Sequence, residues 1–279
     1  MAENMKRAFT TLGCPEWDLD TILARARDYG YDAVDFRGYR GQMEIWRLPE
    51  FSGDTPETVR KIADSGLAVS CFGSSARLCA PEGEERRRAD EEVRAYARLC
   101  RAFGVGQIRV FGGAPGPGSR EEVLDRTAAV LRAWAAIAAD SGARIAFETH
   151  DSWTRSADVR AVLDRADAPG AGVLWDVNHP VRRHGEAPDV TVATLGAHLI
   201  NTHWKDCTDD PAKPGHDRLC LFGEGVLPLQ EMVAALKRAG YGGYWTLEWE
   251  KRWHPELAAP EVAFPRFIDV MDRLDRATR

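Results

Sequence analysis

Four polar side chains stand at the ends of four successive apolar runs in the second half of the sequence. The run IAFE ends in Glu148, VLWD in Asp176, LINTH in His203 and WTLE in Glu248. Three carboxylates and one imidazole form an oxygen-rich donor set that suits Mn²⁺, Mg²⁺ or Co²⁺ and can accept Zn²⁺, whereas a structural zinc site more often uses thiolates. If the four ends converge, they predict a site for one divalent metal ion, with Mn²⁺ as the first choice.

Each of these residues also has a simpler explanation when it is taken alone. Glu148 could be a solvated loop residue or a helix cap, Asp176 could cap a turn, and His203 could be a hydrogen-bonded core or surface histidine. Together they favour the metal site, because three carboxylates buried side by side without a cation would be very costly in free energy.

Short apolar runs alternate with helical patterns along the whole chain. The periodicity predicts a helix over about 84–103, a helix that opens with a capping box of Ser119 and Glu122, and a short helix near 189–196. The segment 207–226 has no such pattern, so we predict a long loop there. A second loop is predicted after the run that ends in Asp176.

The alternation indicates the fold class. Continuous apolar strands between helices imply a parallel sheet covered by helices, and eight strand-then-helix units match an α/β protein with a (β/α)₈ TIM barrel. In such barrels the active site lies at the carboxyl ends of the strands, where the four polar residues stand. A doubly wound open sheet is the alternative, but no G-x-G-x-x-G follows the first strand.

Composition limits the other classes of protein. The chain of 279 residues has no Pro-, Gly- or Ser-rich linker that divides it, so residues 1–279 are predicted to form a single TIM-barrel domain. A net charge of -6 argues against nucleic-acid binding. No apolar run approaches the roughly 20 residues of a membrane span, the N-terminus lacks a signal-peptide core, and the cysteines form no C-x-x-C pair. We therefore expect a cytoplasmic protein with reduced cysteines and no membrane partner.

Several short motifs carry a family resemblance that spans nearly the whole chain. They are FETH, WDVNH, HWKD, GEG and LEWE, in this order, together with GYDAVDFRG near the start. The chain resembles the xylose-isomerase-like TIM-barrel superfamily of sugar isomerases and epimerases. Its members include ketose 3-epimerases, 2-keto-myo-inositol isomerase and dehydratase, and hydroxypyruvate isomerase. The resemblance implies a metal-dependent enzyme that acts on a small carbohydrate.

The resemblance also implies residue roles. The metal ligands would be Glu148, Asp176, His203 and Glu248, and the two glutamates would also transfer protons on opposite faces of the substrate. His179 matches a histidine that contacts substrate oxygens. The chain departs from the ketose epimerases at one position, because they place an arginine six residues after the metal-binding histidine and this chain has an aspartate at position 209.

Further residues are candidates for substrate binding, each with a structural alternative. Lys205 could bind a substrate oxygen or be a solvated loop lysine, and His150 could contact the substrate or support a ligand. Glu224 could orient His203 or bond to backbone. The aromatic faces of Trp17 and Trp153 could stack on a sugar, although tryptophan also fills ordinary cores. Whether Arg109 points inward is not decided by strand alternation alone.

These observations predict an isomerase or epimerase of a keto-sugar or related polyol ketone. Proton transfer would pass through a metal-stabilised enediolate, with Glu148 and Glu248 as opposed bases. The alternative is a metal-dependent dehydratase, a lyase, acting on a keto-inositol or similar substrate. A DNA-repair endonuclease of the same superfamily would need further histidines after the third and fourth strands, but these strands end in SCFGS and RVFGG, which contain none. A non-catalytic barrel would not need two opposed bases, so the presence of both Glu148 and Glu248 argues against it. Relatives are commonly dimers or tetramers, so a homo-oligomer is expected.

Overall fold

Eight parallel strands close into a barrel with helices around it. The computed structural model describes residues 5–53 and 55–278. The barrel strands, in order around the barrel, are β1 (Lys6–Thr10), β2 (Ala33–Phe36), β3 (Ala68–Arg77), β4 (Gln107–Phe111), β5 (Arg144–Glu148), β6 (Ala171–Asp176), β7 (Leu199–Trp204) and β10 (Tyr244–Leu247), which pairs again with β1. The prediction of a (β/α)₈ TIM barrel is confirmed, and the doubly wound sheet is excluded.

The helices lie between the strands in sequence. They are α1 (Leu19–Tyr29), α2 (Pro49–Ser52), α3 (Thr55–Ser65), α4 (Glu84–Phe103), α5 (Arg120–Ala139), α6 (Ser156–Ala166), α7 (Asn178–His184), α8 (Pro188–Leu195), α9 (Leu229–Arg238) and α10 (Pro260–Ala277). The predicted capping box is present, since the Ser119 side chain accepts from the Glu122 backbone N–H and the Glu122 side chain accepts from Ser119. The helix over 84–103 has the predicted bounds.

Two separate groups of apolar side chains make up the core. The larger one lies between the strands and the surrounding helices and includes Phe147 and Trp175. The smaller one is formed by Ala146, Leu174 and Ile200. Side chains alternate along a strand, so Ala146 and Leu174 share the barrel-facing side with the residues two positions later in β5 and β6. The small group therefore forms a floor of apolar side chains beneath the carboxyl ends of these strands.

Two segments differ from the sequence-based expectation. The prediction of a loop after β6 is wrong, because α7 begins there and places His179 in its first turn. Pro180 is compatible with this position, since a proline in the first helical turn removes no intrahelical hydrogen bond.

The predicted long loop over 207–226 is also wrong in part. It contains an antiparallel hairpin of β8 (Asp206–Asp209) and β9 (Asp217–Cys220). The Asp206 carboxylate fastens the following turn, because it accepts hydrogen bonds from the backbone N–H groups of Gly223 and Gly225 at 3.0 and 2.9 Å. These contacts are long-range and leave no periodic signal in the sequence.

Other predictions about the chain have simpler outcomes. No helix in the described part of the chain is long and apolar enough to cross a membrane. All six cysteines are free thiols. The prediction about the N-terminus depends partly on residues 1–4, which lie outside the described residues.

Candidate metal centre

Three of the four predicted ligands form a group that could hold a metal ion. One donor atom from each of Glu148, His203 and Glu248 lies within 4.8 Å of the other two. His203 Nδ1 is 3.1 Å from Glu148 Oε1 and 3.4 Å from Glu248 Oε1. All three side chains are buried. Two carboxylates thus approach one ring nitrogen in a space from which water is largely excluded.

Strand register explains why these residues meet. In the β6–β7 pair Asp176 lies directly opposite His203, and in the β5–β6 pair Glu148 lies opposite Leu174. The backbone N–H of Glu248, one residue after β10, donates to the Trp204 carbonyl at 2.8 Å. Four neighbouring strands therefore end at nearly the same height in the barrel.

The fourth predicted ligand reaches this group through a lysine. Asp176 Oδ2 lies 2.9 Å from Lys205 Nζ, which is also 2.6 Å from Glu248 Oε2 and 2.7 Å from Glu250 Oε1. Burial alone would lower the pKa of Lys205, but the carboxylates of Asp176, Glu248 and Glu250 raise it well above its ordinary value. Lys205 is therefore a buried ammonium group held by three carboxylates.

The carboxylate oxygens of the centre are suited to a cation. Glu148 Oε2, Asp176 Oδ2 and Glu248 Oε2 are all buried, and within residues 5–53 and 55–278 they have no hydrogen-bond partner. Two of them contact the Lys205 ammonium as ion pairs, but without hydrogen-bond geometry. Lys205 and Arg109 compensate part of this buried negative charge, and a bound cation would compensate more of it. Together with the imidazole, the carboxylate oxygens match the oxygen-rich donor set that divalent ions prefer.

The surrounding charges keep both glutamates ionised. Burial alone would raise the pKa of Glu148, but Arg109, whose Nε lies 3.4 Å from Glu148 Oε2, and His203 lower it below the ordinary value. The pKa of Glu248 is likewise raised by burial and lowered more strongly by Lys205 and His203. Both carboxylates are therefore ionised near neutral pH.

The surrounding carboxylates raise the pKa of His203. Burial alone would lower its pKa, but Glu248, Asp35 and Glu148 raise it well above the ordinary value. The carboxylate of Asp35, in β2, contributes through a contact of 3.3 Å with His203 Nε2. A cation bound at Nδ1 would have to displace a proton from that nitrogen.

Sequence reasoning missed Asp35 as part of this centre. The signal was present in the motif GYDAVDFRG, which places a carboxylate near the end of the second strand as in the later strands. It also left the direction of Arg109 open, and the structure directs that side chain to Glu148. Gly73 makes room for it, because a Cβ at Gly73 would lie 3.2 Å from Arg109 Nη2 and 2.8 Å from Arg37 Cδ.

Two of the predicted substrate contacts lie side by side next to Asp176. His179 Nε2 is 3.4 Å from Asp176 Oδ2, and neither ring nitrogen of His179 has a hydrogen-bond partner among the residues that the structure describes. The ring of His150 meets that of His179 edge-on at 4.7 Å, and His150 Nδ1 lies 2.9 Å from Asp151 Oδ1. The two imidazoles therefore border the centre on the side of β5 and β6.

Two predicted contacts are tryptophans that pack within the protein. Trp153 is buried, donates its indole N–H to the Gly113 carbonyl at 3.1 Å and packs against Phe147. Trp17 is half-buried and packs edge-on against Phe264. These contacts are those of structural aromatic residues, so sugar stacking by either tryptophan stays a prediction.

The remaining candidates lie at the surface. Glu224 is half-exposed and pairs with Arg266 at 3.4 Å, and within the described residues it makes no recorded contact with His203. Asp209, at the position where ketose epimerases carry an arginine, pairs with Arg182 of α7. Arg182 also binds Asp217 at 2.7 Å, so these acidic residues attach the hairpin to α7.

Comparison with known proteins supports the relationship that these residues suggest. Residues 23–267 match a family model described as xylose isomerase-like TIM barrel. No curated protein sequence matches the chain.

Solved structures share the fold over nearly the whole chain. The probable 3-DHS dehydratase involved in petrobactin synthesis from Bacillus anthracis is 16% identical, with a TM-score of 0.77 and coverage of 96% of this chain and 99% of that one. D-allulose 3-epimerase from a Methylomonas species is 18% identical, with a TM-score of 0.75 and coverage of 98% and 100%. The 3-keto-D-glucoside 4-epimerase of E. coli is 15% identical, with a TM-score of 0.74 and coverage of 98% and 100%. At these identities the likeness shows a common fold.

Proposed function

Because the chain belongs to the xylose isomerase-like TIM barrel family, we propose that it is a divalent-metal-dependent isomerase or epimerase of a keto-sugar or related polyol ketone. The observation that carries this proposal is the buried group of Glu148, His203 and Glu248 at the carboxyl ends of the strands. Its buried carboxylate oxygens Glu148 Oε2 and Glu248 Oε2, which accept no hydrogen bond from the described residues, fit a cation. Asp176 would complete the set of ligands, and Mn²⁺ is the ion we favour.

The proposed chemistry divides the work between the ion and the chain. When bound, a divalent cation would act as a Lewis acid that stabilises the negative charge of the enediolate. Glu148 and Glu248 would serve as bases, since neighbouring cations keep both ionised. Lys205 Nζ lies 2.6 Å from Glu248 Oε2, so its ammonium could bind a substrate oxygen on that side. His150 and His179 would bind substrate oxygens at the border of the centre.

A dehydratase is the second candidate. Loss of a β-hydroxyl as water requires a proton at the leaving oxygen, and the glutamate that removes the proton beside the carbonyl could return it there while the Lys205 ammonium stabilises the negative charge. The same first step, proton removal beside a carbonyl, would serve both reactions. The products differ, because a dehydratase product is lighter than the substrate by one water whereas an isomerase product has the same mass.

Substrate-panel measurements test both candidates. The protein supplied with Mn²⁺ would be incubated with keto-sugars and inososes in D₂O, and the products would be analysed by mass spectrometry. For the isomerase we expect a product that has gained deuterium and lost no water. For the dehydratase we expect a product that has lost one water. If the Mn²⁺-bound protein catalysed neither reaction on any member of the panel, this result would contradict the proposal.

Matched variants test the two bases. Glu148→Gln and Glu248→Gln should each abolish deuterium incorporation while the fold persists. Glu256→Gln is the control, because Glu256 is an exposed glutamate that pairs with His254 outside the centre. Retained exchange in both site variants would refute the two-base mechanism.

The remaining parts of the proposal concern the whole protein. We propose a single barrel domain over 1–279, a small carbohydrate as substrate, no nucleic-acid partner, a homo-oligomer and a cytoplasmic location. Size-exclusion chromatography with light scattering tests the oligomeric state directly. A monomer at micromolar concentration would contradict that part alone.

A further inference from the structure

Asp35 is a buried carboxylate that reaches the candidate metal centre from the far side of the barrel. Its strand β2 is separated from β7 by β1 and β10, so the contact crosses the barrel interior. The residue has no exposed surface, and Asp35 Oδ2 lies 3.3 Å from His203 Nε2. A carboxylate buried so completely needs a compensating partner.

His203 is the partner that the geometry identifies. Among the described residues it supplies the only recorded hydrogen bond of the Asp35 side chain, and Asp35 Oδ1 has no partner. The two ring nitrogens of His203 have different surroundings. Nδ1 faces Glu148 and Glu248, whereas Nε2 faces Asp35.

We propose that Asp35 is a positioning residue for the metal ligand His203, an inference that rests on the proposed function. A neutral imidazole has one N–H and one lone pair, and a carboxylate that accepts the N–H at Nε2 leaves the lone pair on Nδ1. The same bond fixes the plane of the ring. Asp35 thereby prepares Nδ1 for a cation between Glu148 and Glu248 and contacts neither the ion nor the substrate.

This arrangement differs from two other roles that a buried aspartate could have. Asp35 Oδ2 lies at His203 Nε2, whereas Glu148 and Glu248 lie at Nδ1, so the geometry assigns Asp35 to the ring and not to the ion. A purely structural carboxylate would bond to backbone N–H groups, as Asp206 does to those of Gly223 and Gly225. In the part of the chain that the structure describes, the Asp35 side chain instead has its hydrogen bond to the ring nitrogen that faces away from the centre.

Metal affinity is the first test. Mn²⁺ would be titrated into the full chain and its variants by calorimetry. Loss of an outer partner of a metal-bound histidine typically weakens metal binding 10–100-fold, so we expect a loss of about this size for Asp35→Ala. Asp35→Asn should lose less, because its amide oxygen still accepts from Nε2. The control is Asp90→Asn, since Asp90 accepts from Trp134 Nε1 at 2.7 Å and should not affect Mn²⁺ affinity.

A spectroscopic readout separates positioning from stability. In the protein loaded with diamagnetic Zn²⁺, the His203 Nε2–H proton should give a downfield signal that exchanges slowly with water. His203→Asn identifies this signal by its loss. Asp35→Ala should shift it upfield and broaden it, and Asp90→Asn should leave it unchanged. If Asp35→Ala fails to fold, the isosteric Asp35→Asn decides, because it also weakens the bond to Nε2–H.

The outcomes distinguish this inference from the proposed function. A wild-type protein that binds neither ion at His203 would overturn both. A wild type that binds Mn²⁺, with affinity and Nε2–H signal unchanged in both Asp35 variants, would overturn only the positioning role. An equal loss of affinity in Asp90→Asn would also overturn it, because the effect would then follow general stability.

Discussion

The buried ammonium of Lys205 gives a quantitative test of how the centre balances its charge. Lys205→Met keeps the length of the side chain and removes the cation that lies 2.9 Å from Asp176 Oδ2, 2.6 Å from Glu248 Oε2 and 2.7 Å from Glu250 Oε1. Removal of one partner of a buried ion pair leaves an uncompensated charge and typically costs about 3–5 kcal/mol. With three carboxylates involved, we expect metal-free Lys205→Met to lose stability near the upper end of this range.

A divalent ion should reverse much of this loss. Asp176 and Glu248 are shared between the ammonium and the proposed ion. A bound cation can therefore compensate the negative charges of these buried carboxylates after the ammonium has been removed. Binding of a ligand to the folded state at about 100 times its Kd contributes about 2.7 kcal/mol. Lys205→Met should gain more than the wild type from the same concentration of Mn²⁺, because the ion there binds carboxylates that no longer have a competing cation.

The assay is urea unfolding of both proteins with and without Mn²⁺. Lys237→Met is the matched control, because Lys237 pairs with Asp275 at 2.7 Å where both side chains are about a quarter exposed. Such a pair is worth about 1 kcal/mol or less, with no dependence on Mn²⁺. If Lys205→Met were as stable as the wild type without metal and gained no more from Mn²⁺, the charge balance described here would be refuted.

Metal removal, pH and packing at the barrel rim each give a further test. Chelation by EDTA should lower the melting temperature of a metal-saturated sample by roughly 5–10 °C, and an unchanged melting curve would argue against a bound ion. Burial alone would lower the pKa of His150, but the hydrogen bond to Asp151 raises it above its ordinary value. The pair therefore stabilises the fold fully below the unfolded-state pKa of about 6.5, and this stabilisation is lost as pH rises through the folded-state pKa. Asp151→Asn, a residue that tolerates the φ of 53° at this position, should lower the pKa of His150 in an NMR titration and cost less stability at about pH 9 than at about pH 6; a pKa that does not move would contradict this. Gly112→Ala would place a Cβ 2.0 Å from Trp153 Cδ1 and should lower the free energy of unfolding in urea by about 1–3 kcal/mol. Addition of Trp153→Leu should restore part of this stability, and a double variant no more stable than Gly112→Ala would exclude this clash as the cause.

The barrel was predictable because its signals are local. Asp18 caps α1 by accepting from the Thr21 backbone N–H, and Gly30 ends the helix at a φ of 81°. The apolar runs before Glu148 and Asp176 form strands that are buried along nearly their whole length. Cap residues and apolar periods are properties of a few adjacent residues, so they can be recognised without knowledge of the tertiary structure.

The parts that escaped prediction depend on contacts between distant segments. The hairpin β8–β9 lies in a segment rich in Asp, Pro and Gly, and Asp206 fixes the turn that follows it through backbone groups about 20 positions away. The contact between Asp35 and His203 spans 168 positions and depends on how the strands are arranged around the barrel. Asp35 lies near the end of β2, but only closure of the barrel shows which ring nitrogen it meets.

Anomalous diffraction from a crystal grown with Mn²⁺ would locate the ion and identify its ligands. We predict one Mn²⁺ bound by Glu148, Asp176, His203 and Glu248, with His179 close to the ion but not coordinated to it. Absence of an anomalous peak at this position, or a peak bound by His179 in place of one of these ligands, would contradict the proposed metal centre.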